Sequence, residues 1–153
     1  MDPSSTRPER ILELESYWPY QITVLADRIA RRTSRIVKNH GLNLSQWRVL
    51  AAIAEQPGRT SVDVVTVTPM DKGIVSRATK ALLTMGLIHR TASQRDGRIS
   101  HLFLTDSGTE LYRALIPEVE AIVLRAHTGL STGKQAQLCE HLSDLLNVIP
   151  DLR

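Results

Sequence analysis

Of the 153 residues, 42% are hydrophobic and 23% charged, the balance of an ordinary globular domain with room for helical extensions. No apolar run approaches the ~20 residues of a membrane helix, polar residues 1–9 hold no secretory stretch, and a lone Cys139 excludes an internal disulfide. The expectation is a cytoplasmic protein; its net charge of +3 permits nucleic-acid binding without requiring it, so the placement of the charges decides.

Along the chain, Pro19 in a first turn and Gly41 as a left-handed terminator bracket a long helix over 18–39. Ile22, Leu25, Ile29, Ile36 and Val37 give it an apolar stripe. A second helix opens with Ser45 as its cap and buries Trp47, Leu50, Ala51 and Ile53, until Gln56-Pro57-Gly58 stops it. Residues 62–68 are rich in β-branched types that favour a strand. A short helix is expected there nonetheless, because a clear helix and then a hairpin come next in the chain.

Asp71 caps that clear helix, in which Val75, Ala78, Leu82 and Met85 share one face and Gly86 ends the run. Strands over 87–93 and 99–104 flank a turn in which Asp96-Gly97 is a hairpin signal. Thr105 caps a fifth helix carrying Leu111, Leu115, Ile122 and Ala126, kinked at Pro117. Ser131 caps a last helix with Leu138, Leu142, Leu145 and Ile149.

The fold class is therefore mainly α with a small β-hairpin wing: a winged helix-turn-helix flanked by N- and C-terminal dimerisation helices. Residues 44–105 form the expected DNA-binding lobe, and 1–43 with 106–153 the dimerisation region. The outer face of the Asp71 helix offers Lys72, Ser76, Arg77, Thr79 and Lys80, types that hold phosphates or read base edges in a major groove. Gly73 lets the backbone approach DNA at a helix N-terminus that favours phosphate. Arg95 and Arg98 at the hairpin tip fit a narrow minor groove.

Enzymatic chemistry finds no support, because no nucleophile elbow, phosphate loop or clustered ligand set is present. The five histidines His40, His89, His101, His127 and His141 show no His-x-x-x-His pair, so no metal is expected. Nor is any cofactor. Cys139 reads as core filler.

Three stretches resemble the multiple antibiotic resistance regulator (MarR) family: Leu44-Ser45-Gln46-Trp47-Arg48-Val49-Leu50; Asp71-Lys72-Gly73-Ile74-Val75-Ser76-Arg77 with Leu82-Leu83-Thr84-Met85-Gly86-Leu87-Ile88; and Asp96-Gly97-Arg98 with Leu102-Phe103-Leu104-Thr105-Asp106-Ser107-Gly108. The resemblance implies a homodimer with interlocked terminal helices, binding double-stranded DNA. It implies wing insertion of Arg98, supported by Asp96 as a local ion-pair partner. It also implies a ligand crevice between dimer helices and lobes, for which a small anionic aromatic ligand or its thioester is the first guess. Arg28, Arg32 and Arg48 could pair such a ligand or be solvated surface, and Trp47 could stack on it or pack in the core. A ligand-responsive regulator, acting as a repressor, is the leading expectation. A winged-helix protein-interaction module and a ligand-independent architectural DNA-binding protein are the alternatives.

Overall fold

A computed structural model describes residues 10–126 and 129–152, the side chains of 123–126 excepted. The expectations for residues 1–9, Ala126 as a packing residue and His127 lie outside the described residues. The element order is α1 (Trp18–Asn39), α2 (Leu44–Glu55), α3 (Ser61–Val67), α4 (Lys72–Thr84), β1 (Ile88–Ala92), β2 (Ser100–Leu104), α5 (Asp106–Ala126) and α6 (Thr132–Val148).

The cap of α2 lies two residues earlier than expected. Asn43 accepts the Gln46 N–H at 2.9 Å, and Gln46 Oε1 accepts the Asn43 N–H at 2.8 Å. This reciprocal box satisfies two orphan donors at once, which Ser45 does not. Helix α3 forms despite its valines for the same reason. Thr60 Oγ1 accepts the Asp63 N–H at 3.2 Å, and Asp63 Oδ2 accepts the Thr60 N–H at 2.7 Å. The Thr60 N–H bond first, and then the bond that Thr60 Oγ1 donates to Asp63 Oδ2 at 2.8 Å, hold the Asp63 carboxyl below the usual carboxylate range.

One core fills the space between α2, α3, α4 and the hairpin. Val49, Leu50, Ile53, Val64, Val75 and Leu82 are fully buried, and Leu102 of β2 closes the layer. The hairpin is antiparallel, with Ile88 opposite Leu104 and Ala92 opposite Ser100. The loop after α2 docks on its base: the Gly58 N–H donates to Leu102 O at 2.8 Å, and the Leu102 N–H to Arg59 O at 3.0 Å.

The start of α5 is bolted to the turn between α4 and β1. Thr105 Oγ1 donates to Gly86 O at 2.7 Å and accepts the Gly108 N–H at 3.1 Å. A Cβ at Gly108 would fall 1.9 Å from Leu87 O, so only glycine allows this approach. Trp47 of α2 stacks on Tyr112 of α5 with ring centroids 5.7 Å apart. His40, at the end of α1, meets Glu118 of α5 at 2.8 Å. Helix α5 is thereby joined to the α4–β1 turn, to α2 and to the end of α1.

Helix α6 is the exception to this packing, since none of its residues is buried. Cys139, expected in the core, is exposed on it. Among the described residues, none packs on the apolar side chains of α6 closely enough to bury them.

Candidate nucleic-acid interface

Helix α4 starts at Asp71, whose Oδ1 accepts the Ile74 N–H at 2.7 Å. Val75, Ala78 and Leu82 turn inward, which leaves Lys72, Gly73, Ser76, Arg77 and Lys80 exposed along one outer face. A Cβ at Gly73 would meet Asp71 Oδ1 at 3.3 Å and Arg77 Nη1 at 3.4 Å, so the guanidinium lies over the first turn of the helix. The first turn thus combines free backbone donors with two cations.

Thr79 does not belong to this face. It follows Val75 by four residues and precedes Leu82 by three, so it shares their inward side and is only 7% exposed. Its hydroxyl is buried without a hydrogen-bond partner. It cannot reach a groove while α4 stays packed.

The wing tip is one residue longer on each side than the expected turn over 94–98. The strands end at Ala92 and resume at Ser100, and Gly97 is not among the glycines with positive φ. Side chains shape the loop instead. Ser93 Oγ accepts the N–H groups of Arg95 (3.3 Å) and Asp96 (3.4 Å), while Asp96 Oδ1 accepts the Arg98 N–H at 3.0 Å. Asp96 therefore supports the wing through the Arg98 backbone, not through an ion pair with its guanidinium. Both Arg95 and Arg98 remain exposed.

Arg90 of β1 is a further exposed cation on the wing that reading the sequence missed. The signal was available: an arginine two positions after the buried start of the strand, on a ribbon already carrying two tip arginines. His89 stacks on Phe103 at 5.5 Å, and His101 Nδ1 lies 2.8 Å from Gly58 O, so both wing-base histidines serve the ribbon's own packing.

The four candidate ligand residues are not gathered at one pocket. Arg28 and Arg32 lie exposed on α1, Arg48 is half-buried on α2, and Trp47 is engaged with Tyr112. A pocket of about 370 Å³ opens instead between the end of α2, β2 and α5, lined by Pro57, Phe103, Leu104, Tyr112, Arg113 and Ile116 among others. Arg113 supplies its cation. The spacing Thr109, Tyr112, Arg113, Ile116 on one helical face was the legible sign.

Comparison with known proteins fits this arrangement. Residues 40–99 match the model of the MarR family. The regulator PetP of Rhodobacter capsulatus is 30% identical over 60% of this chain, a match spanning 55% of that protein. The homoprotocatechuate degradative operon repressor of Escherichia coli is 27% identical, over 72% of this chain and 75% of its own. Among solved structures, a Listeria monocytogenes MarR-family regulator in complex with a 26mer DNA superposes with a TM-score of 0.80 at 26% identity, covering 84% of this chain and 86% of that one. BpsR of Bordetella bronchiseptica, whose DNA binding is regulated by 6-hydroxynicotinic acid, does so at 0.66 and 25% identity, covering 82% and 98%.

Proposed function

We propose that the chain is a transcription regulator of the MarR family, a ligand-responsive repressor that binds a pseudopalindromic operator as a homodimer in the cytoplasm. One observation carries the DNA-binding part. Lys72, Ser76, Arg77 and Lys80 share the exposed face of a helix whose other side is fully committed to the core, and the same lobe extends a ribbon tipped by Arg95 and Arg98. Helix α4 enters the major groove and the wing the adjacent minor groove. Two-fold symmetry sets half-sites about one helical turn, ~10 bp, or a multiple apart.

Dimerisation rests on α1 and α6, which leave Ile22, Leu25, Ile29, Leu138 and Leu142 exposed. The role of repressor follows the Escherichia coli relative. For the ligand, the pocket floored by Phe103 and Tyr112 with Arg113 beside them suits a small anionic aromatic compound, the class of the acid that regulates BpsR. It lies between α5 and the wing, where an occupant can shift one against the other.

The experiment is a mobility-shift titration on the duplex upstream of the protein's own coding region, with excess non-specific competitor. A shift at nanomolar protein, in the ~10⁻⁸ M range of specific binders, with two protomers per duplex is expected. Binding no tighter than to competitor DNA would overturn the reading.

A further inference from the structure

Helix α1 has three distinct faces. Thr33 and Val37 are buried against the rest of the chain, and Ile22, Leu25 and Ile29 form an exposed apolar strip next to them. On the flank that adjoins Leu25 lie Arg28, Arg31, Arg32, Arg35 and Lys38, all exposed, within roughly 120° of the circumference. Residues 27–38 hold five of the chain's 19 lysines and arginines but only one of its 16 acids, Asp27. The net charge of +4 over 27–38 equals that of residues 71–98, where α4 and the wing carry six cations and two acids. Asp27 pairs with Arg31 at 2.5 Å, which leaves Arg28, Arg32, Arg35 and Lys38 without an ion-pair partner among the described residues.

A partner protomer seated on the apolar strip would leave Arg31, Arg35 and Lys38 of this basic stripe in solvent, with Arg28 and Arg32 at the rim of the contact. The stripe is also separate from the interface described above: α1 and α4 each pack on α2 and have no substantial contact with each other. Its length points to its ligand. From Arg28 to Lys38 is a rise of about 15 Å, which matches four to five successive phosphates at about 3.4 Å of axis per strand. Four unpaired cations over that length fit a duplex backbone, with no groove-reading element beside them.

We infer that the basic stripe of α1 is a second, sequence-independent binding surface for duplex DNA, so that one dimer holds an operator through α4 and the wing and another segment through α1. The inference rests on the DNA-binding dimer and goes beyond it. It makes the protein a bridge between duplexes, or between distant parts of one. Phosphate contacts alone supply the attachment, so it is weak, salt-sensitive and indifferent to sequence.

The test attaches the upstream duplex to beads, loads one dimer per duplex, and adds a fluorescent duplex of unrelated sequence at about 50 mM salt. The wild type and a triple variant, Arg28→Gln, Arg32→Gln and Arg35→Gln, are compared. The wild type should retain the second duplex. The triple variant should retain at least about fivefold less, with the salt dependence flattened by two to three powers, roughly 0.9 per lost contact. Its affinity for the upstream duplex should stay within about twofold, since surface phosphate contacts are sorted from the reading interface. A triple Arg-to-Lys variant should keep the bridging, which excludes misfolding as the cause.

No retention by the wild type, or equal retention by the glutamine variant, overturns the inference. So does a parallel loss of upstream-duplex affinity, which would make the stripe part of the operator interface. Preferential capture by phosphatidylglycerol vesicles would assign it to a lipid surface instead. Failure of the wild type to load on the upstream duplex at all would count against the regulator reading itself, before the second duplex is added.

Discussion

The winged lobe and the terminal helices are built to opposite standards of closure. In the lobe, Leu50, Ile53, Leu82 and Leu102 are sealed from solvent, and each helix start has a side-chain cap. In α6, Leu146 is 79% and Val148 78% exposed, and no residue is buried. A 17-residue helix gains little from propensity alone and needs an apolar face packed on something. The contrast teaches that the lobe is a finished unit and the terminal helices are half of one, which the proposed second copy would complete.

That contrast breaks most visibly if the two regions are mutated in parallel. Leu50→Ala should cost about 2–5 kcal/mol and lower the melting temperature sharply, as buried leucine truncations do. Leu142→Glu, on α6, should instead convert dimer to monomer in sedimentation while the tryptophan fluorescence of the lobe stays native. Equal unfolding by both would mean that the lobe does not stand alone.

The joint between the regions is Gly108. Replacing it by alanine drives a methyl into Leu87 O and should destabilise by about 1–3 kcal/mol, the usual range for overpacking. A Gly108→Ala protein that melts like the wild type would show that α5 can lift off the lobe without loss. Thr79 sharpens the picture from the other side. Thr79→Val removes an unpartnered buried hydroxyl at constant shape and should raise stability by about 1 kcal/mol in a denaturant titration, with operator affinity unchanged. Weakened DNA binding in that variant would return Thr79 to the interface.

The smallest expected effect is a pH dependence at α3. The folded carboxyl of Asp63 titrates below its unfolded value, so its contribution is fully present above pH 3.8 and is lost as pH falls through the lowered folded value. Asp63→Asn should flatten the acid limb of the stability profile, measured by thermal melts between about pH 2 and 5. An unchanged limb would mean that the Thr60–Asp63 box does not hold in solution.

Much of this architecture was legible in the residues. Proline, glycine and helical spacing placed α1 at its observed bounds, and the order of elements identified α3 against its β-branched composition. The reason for α3 was also present, in Thr60 and Asp63 at box spacing. What escaped the sequence depended on side-chain choices between equals. Asn43 and Ser45 are both good caps, and only Gln46 reaching back selects the first. Asp96-Gly97 has turn chemistry, but Ser93 and the Asp96 carboxylate draw the chain into a longer loop. Thr79 was drawn to the outer face by its polar type, although its spacing from Val75 and Leu82 already put it on the inward side. Cys139 and the leucines of α6 read as core because they are core-like residues, and the described residues of the chain leave most of them exposed.

The central claim is that the lobe binds DNA through α4 and a wing whose tip carries no load in the fold. Arg98→Ala tests it most directly, with melting temperature, dimer mass and operator affinity measured on the same sample. Arg98 is exposed in a loop shaped by Ser93 and Asp96, and only its backbone N–H takes part in that loop. Stability should change by less than about 0.5 kcal/mol, while binding should weaken by about 1–3 kcal/mol per half-site, twice over in a dimer. An unchanged fold together with wild-type operator affinity would contradict the account.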